Sequence, residues 1–70
     1  MELNTKQTKL IETIKRIKRS EGNVDLKEVA KELDMNKLQV ENSINDIEEI
    51  CNQAIKNAEE AKEIKRTLSF

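Results

Sequence analysis

The 70-residue sequence has no proline and no histidine, and it has one residue each of glycine, cysteine and phenylalanine. The absence of proline permits long uninterrupted helices. A single cysteine excludes an internal disulfide, which fits a reducing compartment. With almost no aromatic side chains, the core must consist of Ile, Leu, Val and Ala. We therefore expect a thin core that is supported by oligomerisation.

The residue types that most often carry catalysis and metal binding are also missing. The sequence has no glycine-rich phosphate loop, no cysteine pair and no HExxH-type metal site. Carboxylates are numerous, but on amphipathic helices they are usually solvated. We expect no enzyme, no catalytic residue, no cofactor and no metal site.

Long apolar runs are absent too. No stretch approaches the roughly 18 residues that span a membrane, and no charged-then-apolar leader begins the sequence. We expect a cytoplasmic protein without a membrane partner. The length suits one small domain, and 39% charged against 36% hydrophobic residues is typical of a solvated helical protein.

Charge is nearly balanced at a net value of −1, but it is unevenly distributed. Residues 1–20 hold six Lys or Arg against two acids, whereas residues 41–60 hold one Lys against six acids. The last ten residues are positive again. The uniform basic surface of many DNA-binding domains is therefore missing, and positive charge is concentrated on the first helix and the tail.

Two helix starts occur eleven residues apart in the middle of the chain. Asp25 is a predicted N-cap, with Glu28 as its reciprocal partner in a capping box. Asn36 and Gln39 repeat the pattern. The helix between the two starts is therefore only about eight residues long.

The apolar spacing of residues 25–47 predicts how these two helices pack. The inward positions are Val29, Ala30, Leu33, Met35, Val40, Ile44 and Ile47. This spacing resembles the helix-turn-helix superfamily, which includes winged-helix proteins: an alanine, a leucine three residues later, a three-residue turn, then valine and isoleucine. The resemblance implies a trihelical core whose third helix, residues 36–50, enters the major groove of DNA.

A first helix is predicted to begin at Asn4 or Thr5 and to end near Arg19. Its apolar stripe consists of Leu10, Ile11, Ile14 and Ile17. Four of its cations lie late in the helix, where the negative end of the helix dipole favours them. The break that follows contains Gly22, the only glycine of the chain.

After residue 36 no clear stop signal precedes Ser69, and apolar or small residues keep heptad spacing. The helix is either continuous from Lys37 to Leu68 or bent near Asn52 or Asn57. We expect an all-α fold with a helix-turn-helix core in residues 1–50 and a helical extension of the same domain in 51–70. The extension pairs two chains as a parallel or antiparallel coiled coil, and its predicted dimer interface is Cys51, Ala54, Ala58, Ala61 and Leu68.

Winged-helix domains usually continue with a strand and a basic hairpin, but Glu48, Glu49 and Ile50 keep the helical pattern, so no wing is predicted. Amide side chains can bond adenine with two hydrogen bonds, and lysine can bind phosphate or guanine. The candidate DNA-binding residues are Lys37, Gln39, Asn42, Ser43 and Asn45 on the third helix, and Lys6 and Lys9 on the first.

Two functions remain open. The first is a small sequence-specific DNA-binding protein, a transcriptional regulator or an accessory factor in plasmid or phage replication, acting as a homodimer on double-stranded DNA. The second is a protein-interaction module without DNA binding, which docks a partner through its C-terminal helix. The turn pattern and the amides of the third helix favour DNA, whereas the net charge and the missing wing favour a protein partner.

Overall fold

The computed structural model describes residues 2–54 and 58–69. In these ranges the chain forms four α-helices and no strand: α1 (Thr5–Glu21), α2 (Leu26–Glu32), α3 (Lys37–Gln53) and α4 (Ala58–Leu68). The all-α fold expected from the sequence is confirmed. None of these helices combines the length and the apolar character needed to cross a membrane.

Two of the helices begin with complete capping boxes. Asn4 Oδ1 accepts the Gln7 N–H at 2.8 Å, and Gln7 Oε1 accepts the Asn4 N–H at 3.0 Å. Asn36 and Gln39 form the same two bonds at 2.8 and 3.0 Å. The box predicted at the start of α3 is confirmed, and the start of α1 uses the same Asn-x-x-Gln spacing.

The start of α2 differs from the prediction. Asp25 caps the helix, but its side chain accepts the N–H of Lys27 at 2.9 Å. The backbone N–H of Glu28 bonds instead to the main-chain oxygen of Asp25 at 3.1 Å, and no return bond from the Glu28 side chain forms. The capping box predicted here is therefore wrong, and only the cap itself is present.

A tight turn joins α2 to α3. Leu33 ends α2, and Asp34 adopts a left-handed conformation with φ 55°. The Met35 N–H then donates to the Ala30 oxygen at 2.8 Å, which folds the chain back across the short helix. Among the described residues only Gly22, which ends α1 at φ 80°, shares a positive φ.

Apolar side chains of all four helices form one core. It consists of Leu10, Ile11, Ile14, Ile17, Val29, Ala30, Val40, Ile44, Ile47, Cys51, Ala61, Ile64 and Leu68. The predicted stripe of α1 is wholly buried. Of the inward positions predicted in residues 25–47, Leu33 and Met35 are half-buried and the other five are buried.

The C-terminal half of the chain is not one helix. Helix α3 ends at Gln53 with Ala54 as its C-cap, and α4 packs on both α1 and α3. Of the two predicted bend positions, Asn52 lies within the last turn of α3, and Asn57 lies outside the described residues.

The apolar positions of the heptad pattern consequently pack within a single chain. Cys51, Ala61 and Leu68 are buried in the core described above. Ala54 is half-buried and Ala58 is exposed. The heptad pattern by itself predicts contact between two chains for all five residues. A helix that folds back buries the same apolar positions without a second copy, so the three buried residues are not available on the surface.

Candidate nucleic-acid interface

The exposed face of α3 holds most of the residues predicted to contact DNA. Lys37, Gln39, Asn42 and Asn45 are exposed, and Ser43 is half-buried. The opposite face is fixed in the core by the buried Val40, Ile44 and Ile47. The third helix therefore presents a row of amide side chains to solvent on a rigid support.

Leu38 lies on this exposed face. Its side chain is 65% exposed and is the only large hydrophobic side chain so exposed in the described part of the chain. It occupies the first turn of α3, between Lys37 and Gln39. A single exposed apolar side chain is common on protein surfaces, so Leu38 is of interest for its place among the candidate residues of α3 and not for its exposure alone.

The charge around the start of α3 is mainly negative. Lys37 shares an open cleft of about 450 Å³ with Glu21, at the end of α1, and with Asp25 and Glu28, at the start of α2. Three carboxylates surround one ammonium group there, so the positive charge of Lys37 is offset locally.

The pKa of Glu28 is raised in this acidic cleft. Loss of surrounding water raises the pKa of Glu28 above its ordinary value, and the negative charge of Glu21 and a hydrogen bond to Glu21 raise it further. Asp25 acts in the same direction, whereas Arg16 opposes it. The cleft therefore disfavours additional negative charge, including that of a phosphate.

The two candidate lysines of the first helix are exposed. Lys9 borders a cleft with Arg16, Glu32 and Leu33, at the end of α2 where the turn to α3 begins. Lys6 lies one helical turn earlier on α1. Arg16 is not available in the same way, because it forms an ion pair with Glu32.

The side chain of Gln39 already forms a hydrogen bond that caps α3. Its side-chain oxygen accepts the Asn36 N–H in the capping box, which points the amide back along the helix. Asn42 and Asn45 form no hydrogen bond with any described side chain or cap. Of the predicted amides, these two are therefore the better placed to bond a base.

Cys51 is a core residue. Burial raises the pKa of its thiol, and Glu48 and Glu60 act in the same direction while Lys65 opposes them. The neutral thiol packs like a small apolar side chain. A thiol held within one chain in this way is poorly placed to bridge two chains.

Sequence reasoning missed one feature because it set the late cations of α1 aside as partners of the helix dipole. In the structure three of these cations, Lys15, Lys18 and Arg19, share a cleft with Arg66 of α4. The signal was present in the positive charge of the last ten residues, but their proximity to α1 depends on the tertiary fold. In the described residues no three His, Cys, Asp or Glu side chains are arranged to hold a metal ion.

Comparison with known proteins adds no relative: no protein-family model, no curated protein and no solved structure matches this chain.

Proposed function

We propose that this protein binds double-stranded DNA through α2, the turn and α3, with α3 in the major groove. The observation that carries the proposal is the two-sided character of α3. One side is buried through Val40 and Ile47, while the other exposes Leu38, Asn42 and Asn45. A helix held in this way after a tight turn is the element that helix-turn-helix proteins insert into DNA.

Each exposed residue has a distinct role in this proposal. Asn42 and Asn45 read adenine, because an amide can donate and accept on the same base edge. Leu38 contacts a thymine methyl group. Lys37 contributes little phosphate affinity, since three carboxylates share its cleft. Backbone contacts come instead from Lys6 and Lys9, which are exposed on α1.

The protein then acts by occupancy, as a regulator of transcription or an accessory factor in replication. Helix α3 carries one lysine against four acidic residues, so a single copy binds DNA weakly. Two linked copies on half-sites about ten base pairs apart would multiply that affinity. Because Cys51, Ala61 and Leu68 are buried, a homodimer would pair through another surface, to which Ala58 can contribute.

The test is a selection from random duplex DNA at about 150 mM salt, with sequencing of the retained fraction. We expect an enriched motif. Asn42→Ala changes the preferred base at one position, whereas Lys6→Ala weakens binding to all sequences alike. Gln53→Ala, at the exposed end of the same helix, serves as the control and leaves the motif unchanged.

A second candidate function is recognition of a protein partner, and the exposed Leu38 favours it. The acidic residues of α3 would repel phosphates, but they suit a basic protein surface around an apolar anchor. The apolar face of α4 cannot serve as the docking face, because Ala61, Ile64 and Leu68 are buried. If no DNA motif is enriched and no DNA binds at low salt, recognition of a protein partner would replace DNA binding as the proposed function. The partner would then be sought by its binding to the wild-type chain, with Leu38→Ala as the negative control.

A further inference from the structure

Helices α1 and α4 lie side by side and run in the same direction. Thr8 and Ile11 of α1 share a cleft with Glu60 and Ile64 of α4. Further along both helices, Lys18 and Arg19 share a second cleft with Arg66 and Thr67. The two helices therefore end at the same end of the molecule, with the negative ends of their dipoles close together.

The second cleft, called here the α1–α4 groove, is an open groove of about 410 Å³. Its described lining residues are Lys15, Lys18, Arg19, Glu63, Arg66 and Thr67. Four cations therefore border one carboxylate. Lys15 Nζ lies 3.9 Å from Glu63 Oε1, so this pair accounts for the only acid among the described lining residues.

The remaining three cations of the groove have no charged partner among the described residues. Among residues 2–54 and 58–69, Lys18, Arg19 and Arg66 form no ion pair and donate no side-chain hydrogen bond. Neighbouring cations differ from them. Arg16 pairs with Glu32, and Lys65 donates to Asn52 Oδ1 at 2.7 Å. The helix dipoles explain why cations end both helices, but they do not neutralise three full charges in one groove.

We propose that the α1–α4 groove binds the phosphates of a nucleic-acid backbone. The guanidinium groups of Arg19 and Arg66 can each hold a phosphate by two parallel hydrogen bonds, and Lys18 adds a mobile point charge in the same groove. Phosphate contacts of this kind gain affinity from the release of condensed counterions and do not depend on base sequence.

The composition of the lining favours a polyphosphate over an acidic protein. Protein partners usually gain affinity from a few buried apolar or aromatic anchors. The described lining has no apolar or aromatic side chain that could receive one. A groove that offers only charge and hydrogen-bond donors is suited to a ligand that binds through charge.

This inference does not depend on the proposed role of α3. The groove is formed by α1 and α4, and none of its described lining residues belongs to α3. The two surfaces therefore predict separate results: the groove adds to the affinity and salt dependence that Lys6 and Lys9 supply, and α3 sets sequence preference.

The experiment measures fluorescence anisotropy with labelled duplex DNA, single-stranded DNA and single-stranded RNA, each of random sequence, from about 20 to 300 mM salt. The groove variant is Lys18→Gln/Arg19→Gln/Arg66→Gln. The matched control is Arg16→Gln/Lys62→Gln/Lys65→Gln, which removes the same charge from exposed positions of α1 and α4 outside the groove. Far-UV circular dichroism verifies that both variants remain folded.

We expect the wild-type chain to bind at least one of the three probes. The groove variant should lose about tenfold or more in affinity near 50 mM salt, and the slope of log K against log salt should fall by about two to three, since each duplex phosphate contact contributes about 0.9. The control should retain most of the slope. On a DNA motif selected by α3, the groove variant should keep the base preference that Asn42→Ala alters.

Equal losses in the two variants would overturn the proposal, because net charge alone would then explain binding. It would also fail if the wild-type chain bound none of the three probes at about 20 mM salt. If the wild-type chain bound poly-glutamate but none of the nucleic acids, and the groove variant lost that binding, the ligand of the groove would be an acidic protein and not a nucleic acid. Loss of the α3 motif with an intact groove effect would instead reject only the proposed role of α3.

Discussion

The two helix pairs α2–α3 and α1–α4 are held together by different means. The approach of α3 to α2 is fixed by bonds between residues close in sequence: the Met35 N–H donates to the Ala30 oxygen of α2, and the Asn36 capping box then sets the first turn of α3. Helix α4 is positioned on α1 by burial, through residues such as Ile11 and Ile64 that are far apart in the sequence.

The difference shows that local hydrogen bonds determine where a helix begins, whereas the tertiary fold determines which surface its apolar face packs against. A capping box fixes the first turn of a helix whatever lies around it. A heptad-spaced apolar stripe needs a partner surface but does not specify which one. The sequence of α4 is compatible with a second chain and with the rest of its own chain, and in the fold α4 packs on α1 and α3.

The largest expected effect tests the pairing held by burial. Ile64→Ala removes a side chain that is 7% exposed and should destabilise the fold by about 3 kcal/mol, because a cavity remains between α4 and its neighbours. Leu38→Ala is the matched control: its side chain is 65% exposed, and it should leave stability nearly unchanged. Urea unfolding followed by far-UV circular dichroism measures both, since the chain has no Trp or Tyr.

A chain of this size has little stability to lose, so Ile64→Val provides a milder version with a loss of about 1 kcal/mol. The same unfolding curves distinguish burial within one chain from pairing of two. A midpoint independent of protein concentration fits the fold described above. A midpoint that rises with concentration, together with sensitivity to Ala58→Glu, would restore the predicted dimer of the C-terminal helix.

The same contrast explains which features of the fold and of the candidate site could be predicted from the sequence. Both caps of the central region, the stripe of α1 and the inward face of α3 follow from local spacing, and the structure has them. The reversal of α4 does not, because Ala54, Ala58 and Ala61 continue the heptad without a proline or glycine to mark the break. The exposed amides of α3 could be predicted from helical periodicity. The α1–α4 groove could not, since its cations come from opposite ends of the chain.

A smaller effect tests the pairing held by local bonds. Asn36→Ala removes the cap that bonds the Gln39 N–H and should cost about 1.5 kcal/mol. Asp25→Ala should cost less, about 0.5–1 kcal/mol, because α2 has only one half of the box and the lost carboxylate also relieves repulsion in the acidic cleft. Asn42→Ala, exposed on α3 with no capping role, is the control.

Thermal unfolding by circular dichroism ranks the three variants. The expected order of loss is Asn36→Ala, then Asp25→Ala, then Asn42→Ala. If Asp25→Ala proved the more damaging of the two caps, the incomplete box would be the stronger start signal, and the contrast between α2 and α3 drawn from their hydrogen bonds would be wrong.

The smallest expected effect concerns the acidic cleft where the two helix pairs meet. The folded chain raises the pKa of Glu28, through lost water and the nearby Glu21, so the folded state binds this proton more tightly than the unfolded chain. Stability from this group is therefore fully present below the unfolded pKa and is lost as pH rises through the raised folded pKa. Glu21 also lies in the last turn of α1, where the helix dipole disfavours a negative charge.

Glu21→Gln should therefore raise the melting temperature slightly at pH 7 and leave it unchanged near pH 3, where glutamate carboxyls carry little charge. Glu49→Gln, exposed on α3 and outside the cleft, changes the net charge equally and should lack this pH-dependent gain. An equal gain in both variants would assign the effect to overall charge. A gain confined to Glu21→Gln would mean that local repulsion in the cleft costs the folded chain stability at neutral pH, on the same side of the molecule where α3 begins.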